Sequence, residues 1–364
     1  MKKVLILVNH DVVIYNFRKE LVEELIKNNY KVYISSPYGK KIDYLIDMGC
    51  EYIETNIERH GTNIIKDFQL ILKYRKIIKN INPDIVLSYT IKPNIYGGMA
   101  CRLTKTSYIG TVTGLGGALE KEGVMQKLLI QLYKIAFKDI NTLFLQNKSN
   151  REFFVKHNIA INKHKLIPGS GVNLEEFSLA EYPKENDELN LLFIGRIMKD
   201  KGIEELIKAA QVLKEQNIKV NFDAIGFYEG EYAKRVKKLD QSNLITFHGS
   251  TNDVKSFIKK SHAVILPSHH EGMANVLLEA ASMGRPILAS SIPGCQETFN
   301  EGITGYGFEP KNVNSLIQAI YKFLELTQEE RERMGILGRK NVELEFDRKD
   351  IVATYISEIG TIIQ

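Results

Sequence analysis

The sequence predicts an α/β protein of two doubly wound, mainly parallel sheets. Three observations predict it. Short apolar runs alternate with amphipathic stretches as far as residue 157. The alternation breaks at Pro168-Gly169-Ser170-Gly171 and the polar, acidic stretch from Glu175 to Glu188. It restarts at Leu191-Leu192-Phe193-Ile194. Strands that alternate with helices pair in parallel, because each helix carries the chain back across the sheet. A length of 364 residues also suggests two domains.

The elements follow in order. Apolar strand candidates in the first half are Val4–Val8, Lys31–Ser36, Tyr52–Ile57, Asp84–Tyr89, Tyr108–Val112 and Leu143–Gln146. Amphipathic helices lie between them, around 17–28, 66–80, 95–103, 124–138 and 148–157. The second half continues from Leu191–Ile194 through Asn221–Ile225, Ile245–His248, Ala263–Pro267 and Pro286–Ala289. Helical signals dominate from Asn314, and Asp347-Arg348 opens a last helix that can cross back to the first domain. The expected domains are therefore Rossmann-like: residues 1–168 with a closing helix at about 347–364, and residues 169–346. Two such domains facing a cleft give the default ligand site, one that can close and exclude water.

Composition narrows the class. With 44% apolar and 26% charged residues the chain is an ordinary globular protein. Cys50, Cys101 and Cys295 are odd in number and far apart. They give no disulfide framework or zinc spacing, so a cytoplasmic setting is expected. The apolar run Val4–Val8 is too short for a signal peptide and reads as a buried strand. No stretch reaches the length of a membrane span. Residues 1–168 carry a net +11 and the remainder −6, together the overall +5. The basic half suits an anionic partner. The lysine-bearing amphipathic stretches 64–79 and 123–138 admit an anionic membrane surface, although core-facing helices look the same. No nucleic-acid-binding module is present.

The most informative segment is His269-His270-Glu271-Gly272-Met273-Ala274-Asn275-Val276, running into Leu277-Leu278-Glu279-Ala280. It follows the strand at Ala263 and opens a helix that Gly284 and Pro286 stop. Glu271 then sits at the C-terminal edge of a parallel sheet, where ligands of such folds bind. Glu279 sits in an apolar helix, where a carboxylate is costly unless paired. The free N–H groups near Met273 to Val276 favour a phosphate. At the same edge, Gly195-Arg196 ends a strand, and Lys201-Gly202 precedes a helix. Arg196 and Lys201 can hold a diphosphate and stabilise its departure. A solvated surface pair accounts for them equally well.

Other edge loops carry weaker signals. Gly294 in Pro293-Gly294-Cys295-Gln296-Glu297 can allow close backbone approach to a ligand, and Glu297 can orient Arg196 or a sugar hydroxyl; a plain turn and helix start explains the segment equally well. Asn252 can border a nucleotide base, or it can simply cap a helix with Asp253. The loop Asn9–Arg18, with His10, Tyr15 and Arg18, lacks the G-x-G-x-x-G fingerprint of a dinucleotide site. His10 can face the cleft or the solvent. Lys92 in Tyr89-Thr90-Ile91-Lys92-Pro93-Asn94 can meet a phosphate, and the glycines after Thr113 (Gly114, Gly116, Gly117) can admit substrate to the backbone. Tight turns explain these equally well. No Asp-x-Asp occurs, so no metal cofactor is expected beside a sugar diphosphate.

Taken together, Gly195-Arg196 with Lys201-Gly202, Glu271-Gly272 with Glu279, and Pro293-Gly294 through Glu297 resemble the retaining glycosyltransferases of family 4, with the GT-B fold. The resemblance spans nearly the whole chain. Tyr15-x-Phe17-Arg18, Ile91-Lys92-Pro93-Asn94 and Thr113-Gly114-Leu115-Gly116 resemble the capsule and surface-glycan enzymes of that family. The resemblance implies transfer of a hexose or N-acetylhexosamine from a UDP-sugar to a polyprenyl-diphosphate-linked glycan, at the inner face of the membrane. It implies that the second domain binds the nucleotide sugar, with Arg196 and Lys201 on the diphosphate, Glu279 on the ribose, and Glu271 with the Gly272–Val276 backbone on the donor sugar. It implies that the first domain binds the acceptor, with His10, Tyr15, Arg18, Lys92, Asn94, Thr113, Gly114 and Gly116 at the acceptor or cleft. The chain departs from the family pattern in its first loop, which lacks paired glycines, and at Thr113, where a histidine is frequent. Glycosidase carboxylates flank one bond at roughly 5 to 10 Å, whereas these two would reach opposite ends of a donor. A UDP-N-acetylglucosamine 2-epimerase-like isomerase and a non-catalytic sugar-nucleotide binder are the alternatives.

Overall fold

A computed structural model describes the chain except residues 59–62, 117–118, 120–121, 185–187, 231, 233–235 and 237–243. It divides into two compact units. Unit 1 is Met1–Ser170 with Arg348–Gln364, and unit 2 is Gly171–Asp347.

Unit 1 carries seven described strands: β1 (Lys3–Leu7), β2 (Lys31–Ser36), β3 (Glu51–Glu54), β4 (Ile85–Tyr89), β5 (Tyr108–Val112), β6 (Thr142–Leu145) and β7 (His164–Leu166). They lie in the order β3-β2-β1-β4-β5-β6-β7, and every pairing is parallel. The pattern of β1 explains why. Its residues are apolar on both faces, as a strand covered by helices on each side requires. Val4, Ile6 and Val8 pack with Ile14, Leu21, Tyr355 and Ile359, while Leu5 and Leu7 pack with Tyr74, Ile78 and Ile130. Successive side chains point to opposite faces, so one strand anchors both cores. Each buried side chain contributes at most about 2 kcal/mol by area transfer.

Unit 2 repeats the plan with β8 (Leu189–Ile194), β9 (Val220–Ile225), β10 (Thr246–Gly249), β11 (Ala263–Leu266), β12 (Ile287–Ser290) and β13 (Gly305–Phe308). Their order is β10-β9-β8-β11-β12-β13, again all parallel. Each sheet therefore reverses strand order once, between β1 and β4 and between β8 and β11. Ligands of open parallel sheets bind at the C-terminal edge of such a reversal.

The closing helix Arg348–Ile362 belongs to unit 1. Arg348 is buried, and its Nη1 donates to the Glu20 carboxylate at 3.0 and 3.1 Å and to the Asn16 carbonyl at 3.1 Å. The Tyr355 and Thr111 hydroxyls bond at 2.6 Å.

Several expected elements are corrected. The first helix starts at Asp11, not residue 17. The His10 side chain caps it by accepting from the Val12 N–H at 3.1 Å, and burial of Ile14 overrides the β-branched run Val12-Val13-Ile14. The segment Asp11–Arg18 is thus helix, not loop. The helix expected over 95–103 is a π-helical turn, Pro93–Gly97, followed by an α-helix, Gly98–Thr104. The helix Lys41–Asp47 and strands β7 and β13 carry weak periodic signals and were not expected. In β13, a Cβ at Gly305 would lie 2.2 Å from the Ile287 carbonyl oxygen. The glycine there reflects close strand approach rather than a turn.

Candidate functional site

The site assembles where β8 and β11 end side by side. Their register pairs Ala263 with Leu191 and Val264 with Leu192, so the loops beginning at Gly195 and Pro267 leave the sheet as neighbours. The β8 loop closes through a 3-10 turn, Lys199–Lys201, into Gly202 at φ +73°. A Cβ on Gly202 would lie 1.9 Å from the Pro267 carbonyl oxygen. Only glycine permits that conformation and that approach.

This closeness joins Lys201 to Glu271. The Lys201 ammonium donates to the Glu271 carboxylate, and Ser268 Oγ donates to the same oxygen at 2.7 Å. The two side chains are 19% and 11% exposed. An ion pair so little hydrated is held more firmly than a surface pair, and loss of one partner strands the other. His269 ties the loops from below. Its N–H donates to the Asp200 carbonyl at 2.9 Å, and its Nε2 lies 3.1 Å from Glu205 Oε1. Glu205 sits in the first turn of the helix Ile203–Glu215, and its role was not visible in the sequence.

Gly294 fixes the third side. It has φ +85°, and a Cβ there would meet the carbonyl oxygens of Glu271 and Gly272 at 2.7 and 2.8 Å. The Ala274 N–H donates to the Gly294 carbonyl at 2.8 Å. Glu297 accepts from the Gly294 N–H at 2.6 Å. It therefore braces the turn and does not orient Arg196, which corrects one of its two expected roles. The Cys295 thiol is buried beside this frame. Burial, then the Glu271 carboxylate, push its pKa well above the ordinary value.

On the helix Asn275–Ser282, Leu277, Leu278, Ala280 and Ala281 are buried, whereas Asn275, Val276 and Glu279 are half-buried. Positions 275 and 279 are one turn apart and share a face. Asn275 Oδ1 is buried with no hydrogen-bond partner, an acceptor left open on that face. Met273 and Ala274 are buried, and Gly272 is half-buried.

Arg196 stands apart from the Lys201–Glu271 pair. Its Nη1 donates to Glu229 at 2.9 Å, with both side chains about two-fifths exposed. Such a pair contributes about 0–1 kcal/mol, so it holds Arg196 only weakly. The partner was not legible, because it lies on the loop after β9. The N–H of Gly195, the first residue after β8, donates to the Ile225 carbonyl at 3.0 Å. Asn252 is exposed, and the cap of the helix Val254–Lys260 is Asp253 instead.

The unit 1 candidates separate. His10 Nδ1 lies 2.7 Å from Asp11 Oδ1. Tyr15 packs against Tyr44 at 5.3 Å and under the Lys41 ammonium at 4.7 Å. Lys92, expected to meet a phosphate, pairs with Asp67 at 2.8 Å. Asn94 is buried in the core, accepting from Ser88 Oγ and donating to the Thr111 carbonyl, both at 2.8 Å. Its place in the motif is structural, because a buried amide must satisfy both ends. Thr113 and Gly114 are half-buried and Gly116 is exposed at φ +69° on the loop after β5. Gly117 lies outside the described residues. Arg18 is buried.

Comparison with known proteins matches both units. The model for glycosyl transferases group 1 matches residues 175–341, and that for glycosyl transferase 4-like matches residues 3–147. The chain is 27% identical to the Campylobacter jejuni N,N'-diacetylbacillosaminyl-diphospho-undecaprenol alpha-1,3-N-acetylgalactosaminyltransferase, covering 96% of each. It is 27% identical to a Staphylococcus aureus capsular polysaccharide biosynthesis glycosyltransferase, over 91% of this chain and 90% of that one. It is 26% identical to the Escherichia coli UDP-Gal:alpha-D-GlcNAc-diphosphoundecaprenol alpha-1,3-galactosyltransferase, over 78% and 77%. In fold, it is similar to a Rickettsia africae glycosyltransferase, with TM-score 0.81, 21% identity and 100% and 99% coverage. It is also similar to Anabaena HepE, solved with UDP and glucose, with TM-score 0.80, 15% identity and 99% and 100% coverage. These relatives favour transfer over the isomerase and silent-binder readings. With one model matching most of unit 1 and the other nearly all of unit 2, the chain belongs to the glycosyltransferases of GT-B fold that join a 4-like domain to a group 1 domain.

Proposed function

We propose that the chain moves a hexose or N-acetylhexosamine from a UDP-sugar to a polyprenyl-diphosphate-linked glycan during surface-polysaccharide synthesis. The observation that carries this reading is the Lys201–Glu271–Ser268 cluster at the strand-order reversal of unit 2. Lys201 and Arg196 would take the donor diphosphate, exchanging their carboxylate partners for phosphate oxygens. Glu271, once released, would accept from a donor-sugar hydroxyl. Asn275 and Glu279, one helical turn apart, would meet the uridine end. The activities that the C. jejuni and E. coli relatives are named for supply the acceptor class.

In the transfer, the bond from C1 to the phosphate oxygen breaks and its electron pair leaves with UDP. The acceptor hydroxyl oxygen bonds to C1 from the same face, and its proton passes to the departing phosphate oxygen. Retention of configuration follows from that geometry. Charge on the leaving group is met by Lys201, Arg196 and the helix start near Asn275, without a metal. We further propose that unit 1 rests on the anionic inner face of the membrane.

The test is UDP release from a panel of UDP-sugars, with and without a lipid-diphosphate-linked acceptor. Release is expected to depend on acceptor, and Glu271→Ala and Lys201→Ala are each expected to lower it by about a hundredfold or more. Full turnover by either variant, or sugar conversion without acceptor, defeats the reading.

A further inference from the structure

Behind the Lys201–Glu271 pair lies a second, drier pair. His269 Nε2 is 3.1 Å from Glu205 Oε1, with the two side chains 5% and 15% exposed. A carboxylate only accepts, so the proton of this bond sits on Nε2. Glu205 Oε2 is buried with no partner. Among the described residues no lysine or arginine pairs with Glu205.

Neither helix capping nor stability accounts for this pair. Glu205 is the third residue of the helix Ile203–Glu215, where a glutamate ordinarily folds back to the N–H of the cap residue. Here the Gly202 N–H donates to the Lys199 carbonyl at 2.9 Å, and Glu205 turns to the neighbouring loop instead. Apolar groups of like volume often stabilise a site as well as a buried ion pair does, and a buried carboxylate with an open oxygen is costly. What the pair fixes is orientation. His269 is held twice, by its N–H on the Asp200 carbonyl at 2.9 Å and by its ring on Glu205. Its neighbour Ser268 donates to Glu271 at 2.7 Å, on the same oxygen that accepts from Lys201. Of these ties, the His269–Glu205 bond is the one made by side chains outside the Lys201–Glu271–Ser268 cluster.

We propose that Glu205 and His269 are positioning residues for the donor sugar. Neither touches the donor. Glu205 holds His269, and His269 holds the Ser268–Glu271 loop where Glu271 meets both Lys201 and a sugar hydroxyl. This inference rests on the transferase reading above, which places the donor sugar at Glu271. UDP alone has no sugar for Glu271 to meet, so loss of the pair separates the two ligands.

The test uses the full chain and compares, by calorimetry, its affinities for UDP and for each UDP-sugar of the panel. In Glu205→Ala and in His269→Phe, affinity for the best-bound UDP-sugar is expected to fall by about tenfold or more, while UDP affinity holds. Glu205→Gln keeps an acceptor oxygen for the Nε2–H and is expected to retain most of the sugar affinity. Glu205→Ala combined with His269→Phe should lose no more than either single variant, because two residues acting through one bond are not additive. In turnover, kcat/KM for the donor should fall in step, with the acceptor KM unchanged. A pair that is only structural lowers the urea midpoint and weakens UDP and UDP-sugar alike, which overturns the inference. So does an additive loss in the double variant, or unchanged sugar affinity in a folded His269→Phe. Should Glu205→Ala not fold, His269→Phe and Glu205→Gln decide. Acceptor-dependent UDP release with sugar affinity unchanged in the variants sinks this inference and leaves the transferase reading standing. Selective loss of sugar affinity in the variants, with no UDP release from any donor by the wild type, does the reverse.

Discussion

At the scale of single residues, two glycines with similar backbones separate strain from crowding. Gly294 and Gly302 have φ +85° and +71°. A Cβ on Gly302 meets nothing within 4 Å, whereas one on Gly294 runs into the backbone carrying Glu271. Gly302→Ala is expected to cost about 1–2 kcal/mol from the left-handed backbone alone and to keep full turnover. Gly294→Ala adds a backbone clash, and is expected to lower kcat/KM by about tenfold or more through displacement of Glu271. Urea unfolding beside steady-state kinetics checks both, and equal activity of the two variants refutes the crowding argument. Pro-Gly after a strand made Gly294 legible as a turn or as an approach to a ligand, but not as an approach to the backbone that carries Glu271. The need at Gly202 and the hold of His269 on Glu205 depend on which loops become neighbours in space, which no local pattern encodes. Lys92 and Asn94 mislead for the same reason. Their spacing after β4 suits a site, but Asp67 and Ser88 had already claimed them.

At the scale of elements, apolar runs located most strands, since strands buried on both faces need no partner information to be recognised. The misses are elements that tertiary contact creates. Helix Asp11–Lys27 begins with β-branched residues and holds because His10 caps it and the sheet covers Ile14. Strand β13 holds because glycine lets it approach β12. The closing helix was legible from Asp347-Arg348, but not what secures it. Arg348 bonds the half-buried Glu20 and the Asn16 carbonyl, joining the last helix to the first. Arg348→Ala removes the Arg348 guanidinium from a Glu20 side chain only 18% exposed. A loss of about 3 kcal/mol in unfolding free energy is expected, with Arg348→Lys intermediate. An unchanged urea midpoint in Arg348→Ala shows that the pair contributes nothing.

At the scale of the whole molecule, charge and apolar exposure coincide in unit 1. The closing helix adds two cations and two acids, so unit 1 keeps the +11 of its first 168 residues against −6 for unit 2. Ile64 (84% exposed), Ile65, Phe68 and Leu72 stand out of the helix Ile64–Ile81. Val124 (85% exposed), Met125 and Leu128 stand out of the helix Val124–Ala136. Each helix follows a parallel strand, β3 or β5, so both begin at the C-terminal edge of the sheet. Exposed side chains of this size beside lysines are costly in water and favourable at an anionic interface, where each cation adds about 1 kcal/mol. Among the described residues no helix is long and apolar enough to cross a membrane, so the contact proposed is with the surface. Vesicles containing anionic lipid are expected to sediment the chain at low salt and release it as salt rises, because screening shortens the reach of the charges. Phe68→Asp with Val124→Asp should abolish sedimentation while leaving turnover of a water-soluble acceptor intact. The apolar residues then act in docking and not in catalysis. Binding that persists in the double variant, or that ignores salt, assigns the contact to another face.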